Sequence, residues 1–274
     1  RYWATAAAFS LFGVDAWTAR LWTALTGFLG VLLVHATGRR LFGPAEGLAA
    51  AAVAASSLLY VFMGHLNTLD MGLGFFLTLG ICAFMAAQSD AATEKQRRNA
   101  MWLAWAAIAL AVLSKGLVAL VLPGATVVAY VFWQRDWTLL RRLHWVSGLL
   151  VFLLITTPWL VAVSLRNPEF FHFFFIHEHF ERFLTKVHGR YEPPWYFVPV
   201  LLAGMLPWTL SLFPALAAAL RKAPGRFQPA RFLLSWCACV FLFFSASGSK
   251  LPSYILPMTP ALGLLIGRYL VRST

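Results

Sequence analysis

A chain of 274 residues with 60% hydrophobic side chains, 12% charged ones and a mean hydropathy of +0.72 has too little charge to keep its surface in water. A soluble globular domain is therefore excluded. The net charge of +12 does not mark a nucleic-acid partner either, because the Lys and Arg residues are dispersed over separate short loops.

The apolar residues fall in blocks of about 14–22, separated by short polar loops, as in helices that cross a hydrocarbon core of about 30 Å. The blocks do not alternate with period two, so helices are expected rather than a barrel. In chain order, residues 1–15 come first. Their apolar run from Ala4 to Phe12 is too short to span and is expected as an interfacial helix. Spans are then expected over about 16–37, 45–64, 70–88, 99–113, 116–134, 145–165, 195–220, 231–246 and 251–270, nine in all. The fourth and eighth are the shortest. Pro123, Pro158, Pro207 and Pro257 fall within these blocks. Arg20, about one turn into the first span, either snorkels outward or pairs with Asp15. Cys82, Cys237 and Cys239 all lie in apolar blocks, with no disulfide framework and no metal spacing.

Alternate loops carry 14 of the 22 Lys and Arg residues: Arg39 and Arg40; Lys95, Arg97 and Arg98; Arg135, Arg141 and Arg142; Arg221, Lys222, Arg226 and Arg231; Arg268 and Arg272. By the positive-inside rule that face is cytoplasmic. The alternation holds only if both short spans are real.

The other face carries less charge, in places where topology does not call for it. Asp70 follows the tight turn His65–Leu69, where Asn67 or Thr68 is placed to cap the next helix. Asp70 is either a first-turn carboxylate favoured by the helix dipole or a functional acid. Lys115 sits in the turn Ser114-Lys115-Gly116. The loop 166–194 has a core from Glu169 to Phe183. On a helix, Phe173, Ile176, Phe180 and Phe183 form a narrow apolar stripe, opposite His177, Glu178, Glu181 and Arg182. This reads as an interfacial helix. Its polar face is either solvated or functional, with His177 and Glu181 able to share a divalent cation and Arg182 to face a phosphate. In Ser245–Tyr254, Lys250 and Tyr254 lie four apart, beside Pro252 at a helix start. Lys250 either snorkels to a headgroup or, with the helix N-terminus, holds an anion. Trp195, Tyr196 and Phe197 are expected in the aromatic belt.

The segments YWATAAAFSLFG (2–13), NTLDMGL (67–73), SKGLVALVLPG (114–124), HEHFERF (177–183), PPWYFVPVLLAGMLPW (193–208) and SKLPSYILPMTPAL (249–262) occur in order along nearly the whole chain. Together they resemble the bacterial polyprenyl-phosphate-sugar glycosyltransferases of the protein-mannosyltransferase superfamily, and most closely the aminoarabinose transferases that modify lipid A. The resemblance implies an all-α, GT-C type bundle, a single membrane-embedded domain over 1–274. It implies inverting transfer of a sugar from an undecaprenyl-phosphate donor to lipid A or another lipopolysaccharide component, at the periplasmic face of the bacterial inner membrane. By the same resemblance Asp70 matches the family's acidic residue, His177 a metal-binding His (with His179 as fallback) and Arg182 and Tyr254 phosphate contacts. The metal would be divalent, with zinc implied. Lys250 and Lys115 join the phosphate set and Glu181 the metal set by position.

One departure stands out. The family's first span, a loop with an essential Asp and a Glu-Lys-Pro segment precede the YW found at 2–3, so the chain is expected to be a piece lacking part of the site, inactive by itself. Two other readings remain: the same fold with a protein or another glycan as acceptor, and a lipid or sugar transporter. The lack of an internal repeat and of charge at mid-span argues against the transporter.

Overall fold

The structure is a computed structural model describing residues 2–167, 169–170 and 192–273. Among the described residues it contains helices and no strand. In chain order these are α1 (Tyr2–Phe12), α2 (Ala16–Leu41), α3 (Pro44–Ser56), α4 (Leu58–His65), α5 (Asp70–Gln88), α6 (Glu94–Lys115), α7 (Val118–Gln134), α8 (Thr138–Arg141), α9 (Trp145–Arg166), α10 (Phe197–Gly204), α11 (Thr209–Ala219), α12 (Pro229–Ala246) and, after a 3-10 turn Pro252–Ile255, α13 (Met258–Ser273).

Four of these, α2, α5, α9 and α12, are long and apolar enough to cross a membrane. Two bent pairs raise the number to six: α3 with α4 at 60°, and α10 with α11 at 106°. The count of nine expected from the apolar blocks is therefore not reached on this criterion. Helix α7 is 17 residues long, and α13 has 16 residues that include Arg268 and Arg272. The fourth block is longer than its apolar part suggests. Thr93 closes a capping box with Gln96, so the helix starts in the charged stretch Glu94–Arg98 and runs on for 22 residues. The first helix, 11 residues long, reaches only about 16 Å, about half the hydrocarbon thickness.

The two bends support each other. Ser57 is extended, which breaks α3 from α4. The freed Leu58 N–H donates to the Leu206 carbonyl at 3.1 Å, beside the other break. Trp208 Nε1 donates to Ser56 Oγ at 2.8 Å across the same contact. Broken helices survive in a bilayer when neighbours satisfy the backbone groups in this way. Pro207 lies in that break and Pro257 between the 3-10 turn and α13, whereas Pro123 and Pro158 are inside helices. Proline has no N–H to give and crowds the preceding turn, so two of the four prolines end helices rather than bend them.

Helices α2, α3 and α13 meet through small residues. A Cβ added at Gly47 would lie 2.5 Å from the Arg39 backbone nitrogen, and one at Gly267 would collide with the Ala50 backbone. Close backbone approach of this kind is how helices associate where lipid removes the hydrophobic drive. The three cysteines are free thiols, and Cys82 and Cys237 are buried. Of the expected belt aromatics, Trp195 is exposed but Phe197 is fully buried against Tyr196 and Phe244. Arg20 is exposed.

Candidate functional site

Helix polarity gathers the charged residues of the low-charge face. Helices α5 and α6 form an antiparallel hairpin joined by the loop that carries Asp90 and Thr93. Asp70 opens α5 and Lys115 closes α6, so both lie at the end away from the arginine-rich loops. A carboxylate in a first turn and an ammonium in a last turn each complement the helix dipole. Gly116 ends α6 with φ +100°, a conformation that favours glycine, and its N–H donates to the Val112 carbonyl at 2.7 Å.

The two side chains form an ion pair, Lys115 Nζ donating to Asp70 Oδ1. It is largely withdrawn from solvent, with the Asp70 side chain 11% and the Lys115 side chain 25% exposed. The same ammonium lies 4.7 Å from the centre of the Tyr254 ring. A cation over an aromatic face gains further attraction when desolvated. The Asp70 N–H contacts Thr68 Oγ1 at 3.4 Å. Neither Asn67 nor Thr68 is the helix cap expected from the sequence: that position is Leu69, which makes no side-chain bond.

Tyr254 belongs to the 3-10 turn and packs on Phe244 of α12 at 5.0 Å between ring centres. Between these elements runs a buried polar stretch: Ser247, Ser249, Lys250, Ser253 and Tyr254 are each less than a tenth exposed. Lys250 Nζ donates to the Ser247 carbonyl at 2.7 Å. Ser247 Oγ donates to the Ser249 carbonyl at 3.1 Å. A snorkelling lysine would be solvated, so burial at 4% removes that reading. The main helix starts at Met258 and not at Pro252, so Lys250 and Tyr254 are related by a turn rather than by one helical face.

Asp70, Lys115 and Tyr254, from three segments, are therefore brought together. Lys250 is fixed four residues from Tyr254 by its own turn. His177, His179, Glu181 and Arg182 lie outside the described residues, as does the helix expected over 169–183 from residue 171 on. Among the described residues no group of three or more His, Cys, Asp or Glu is placed to hold a metal. Ser249 was not singled out by the sequence. Its hydroxyl is buried and makes no hydrogen bond among the described residues. A buried polar group in that state asks for a ligand or water. The signal was present in the run SASGSK, where small polar residues flank the lysine.

Among the described residues, a helical bundle with lipid-scale helices and a buried ionic cluster at one end defines a polytopic membrane protein. Its residues 1–161 match the model of the dolichyl-phosphate-mannose-protein mannosyltransferase family, and the chain belongs to that family. Two relatives carry the name undecaprenyl phosphate-alpha-4-amino-4-deoxy-L-arabinose arabinosyl transferase. That of Shewanella sediminis is 33% identical over 272 residues, covering 98% of this chain and 49% of the relative. That of Pseudomonas paraeruginosa is 35% identical over 274 residues, covering 99% and 49%. The crystal structure of ArnT from Cupriavidus metallidurans bound to undecaprenyl phosphate superposes with a TM-score of 0.94 at 41% identity, over 98% of this chain and 49% of that one. The chain spans about half the length of these relatives.

Proposed function

We propose that this chain carries the donor-phosphate end of an inverting glycosyltransferase, which moves a sugar from an undecaprenyl-phosphate carrier to lipid A or another lipopolysaccharide component. The observation that carries this reading is the buried Asp70–Lys115–Tyr254 cluster, beside Lys250 and an unsatisfied Ser249 hydroxyl. Its support is the likeness to ArnT, whose solved complex contains undecaprenyl phosphate.

The chemistry follows from the donor. An acceptor oxygen attacks the sugar's anomeric carbon while the bond from that carbon to the phosphate oxygen breaks, and the electron pair leaves with the lipid phosphate. Charge develops on that phosphate in the transition state. Preorganised donors in a water-poor site stabilise it best. Lys250, held by the Ser247 carbonyl, and the Tyr254 hydroxyl are two such groups, and Arg182 would be the third. Lys115 is already neutralised by Asp70, so the pair acts as an oriented dipole, and Asp70 positions the lysine or binds sugar or acceptor. An acceptor that is already an ionised phosphate needs little general base. A divalent metal such as zinc, on His177 and Glu181 with His179 in reserve, belongs to the proposal. It would add Lewis-acid charge near the phosphate. Zinc per protein should fall more in His177→Ala than in His179→Ala by elemental analysis, and the reverse order would reassign the ligand.

The proposed location is the bacterial inner membrane, with the cluster facing the periplasm and the arginine-rich loops in the cytoplasm. On a cysteine-free background in intact cells, Asn67→Cys should react with an impermeant thiol reagent and Ala91→Cys should not. The opposite pattern would invert the orientation. The function is tested by mass spectrometry of lipid A from cells with and without the gene. A sugar-sized mass addition that depends on the gene is expected. Unchanged lipid A together with new protein glycosylation would move the acceptor, and uptake without transfer would favour a transporter.

A further inference from the structure

The opposite, arginine-rich end of the bundle holds a second set of features that sugar transfer does not use. Arg97 is only 8% exposed. Its Nη2 donates to the Ala92 carbonyl at 3.3 Å, and a Glu94 carboxylate oxygen stands 3.5 Å from Nε. Nε and Nη1 are buried without a hydrogen bond among the described residues. Arg142 lies two residues from His144, whose ring stands 3.3 Å from the same Glu94 carboxylate. Desolvation, and then repulsion from Arg226 and Arg97, hold the Arg142 guanidinium below its ordinary value.

The carboxylates nearby are already engaged. Asp136 pairs with Arg226 at 3.1 Å, and Asp90 accepts the Arg226 backbone N–H at 2.8 Å. Glu94 is divided between Arg97 and His144, the latter at 3.3 Å. Residues 90–98 and 135–144 together with Arg226 hold seven Lys and Arg against three carboxylates. An excess of positive charge, with the Arg97 Nη1 donor buried and without a hydrogen bond among the described residues, asks for an anion.

Directly inward of this cluster is an apolar cavity of about 240 Å³, whose lining includes Phe84, Met101, Trp105, Gly124, Leu143 and Trp145. Met101 is about one helical turn from Arg97, and Leu143 follows Arg142. Two of the lining residues, Val128 and Trp145, are 52% and 54% exposed, so the cavity reaches the lipid-facing surface of the bundle. A basic cluster at the membrane boundary above a lateral apolar cavity complements both parts of one molecule, a charged headgroup and a hydrocarbon tail.

We propose that this end binds one anionic phospholipid from the adjoining leaflet, with its phosphate on Arg97 and Arg142 and an acyl chain in the cavity. The site is separate from the Asp70 cluster and stands whatever sugar and acceptor that cluster serves.

The test titrates the purified protein in detergent with phosphatidylglycerol, phosphatidylcholine and inorganic phosphate, reading bound lipid by native mass spectrometry. One phosphatidylglycerol should bind about tenfold more tightly than phosphatidylcholine. Millimolar phosphate should not displace it, because phosphate has no tail. Arg142→Gln should erase the preference between the two lipids. Gly124→Phe should weaken both, since a side chain started at Gly124 meets nothing within 4 Å and would grow into the cavity. Arg97→Gln should act like Arg142→Gln, and because Arg97 is buried the Arg142 variant carries the test if the other misfolds. Equal binding of the two lipids would overturn the proposal. So would unchanged phosphatidylglycerol binding in both Arg142→Gln and Gly124→Phe, or displacement by millimolar phosphate, which would leave a bare anion site. Displacement by undecaprenyl phosphate that Gly124→Phe abolishes would give the cavity to the prenyl tail and equally overturn it.

Discussion

Replacing Lys115 by Met is expected to lower sugar transfer roughly 10- to 150-fold, the value of one charge-assisted contact of about 1.5–3 kcal/mol. It should also destabilise the fold by about 3 kcal/mol, because it strands the Asp70 carboxylate without its partner. That is the low end of the roughly 3–5 kcal/mol expected for breaking a buried pair, since the Lys115 side chain keeps 25% of its exposure and water can screen what remains. Asp70→Asn should cost stability for the mirror reason. The double variant Asp70→Asn with Lys115→Met separates packing from chemistry. It removes both charges, so its thermal unfolding should recover most of the loss. Its transfer rate should stay low, because the oriented dipole of the pair is gone. Recovery of both stability and turnover in the double variant would reduce the pair to a structural tie between α5 and α6.

That pair shows where sequence reading stops. The low-charge face, its exceptional residues and the helical class were legible, because hydropathy blocks and basic loops follow the bilayer directly. Asp70 and Lys115 were each visible as charges that topology did not require. Their partnership was not, because 45 residues separate them and only the antiparallel hairpin of α5 and α6 brings them together. The burial of Lys250 was equally hidden. A lysine at a membrane boundary looks the same in sequence whether it reaches water or folds back onto Ser247. The length of α6 was missed for a local reason, since its first turns are charged and project beyond the apolar block, although the Thr93–Gln96 capping box marks the true start. The breaks at Ser57 and Leu206 left no apolar gap and so read as continuous spans. Phe197 shared its composition with the belt residues beside it and differs only in facing Phe244. For His177 and Arg182 the helical spacing offered a metal or phosphate role only as one of two readings, and the resemblance to the family is what favours it in the proposal.

The second large effect concerns the leaving phosphate. Arg182→Ala and Lys250→Met are each expected to reduce turnover roughly 10- to 150-fold, again one charge-assisted contact apiece. The reasons differ. Arg182 offers a planar fork that matches two phosphate oxygens, so Arg182→Lys should remain impaired although its charge is kept. Lys250 is a point charge whose position is set by the turn it closes. Its Nζ holds the Ser247 carbonyl at 2.7 Å, and an ammonium has three donors, so holding the turn and meeting a phosphate are compatible. Lys250→Met therefore loses a charge and also leaves a buried carbonyl short of its donor, which costs about 1–3 kcal/mol of stability. Lys250→Gln can still donate to Ser247 without carrying charge. If Lys250 meets the phosphate, Lys250→Gln should unfold close to the parent temperature yet transfer as poorly as Lys250→Met. Ser249→Ala, which removes the buried hydroxyl with no partner among the described residues, should leave stability nearly unchanged and lower turnover only severalfold, as for one neutral hydrogen bond of about 1 kcal/mol. Transfer kinetics at saturating donor, with unfolding followed in parallel, decide the case. Near-normal turnover in Lys250→Gln would confine the lysine to the turn and leave Arg182 and Tyr254 to carry the phosphate. Near-normal turnover in both Lys250→Gln and Arg182→Ala would remove the phosphate site from this end of the bundle altogether.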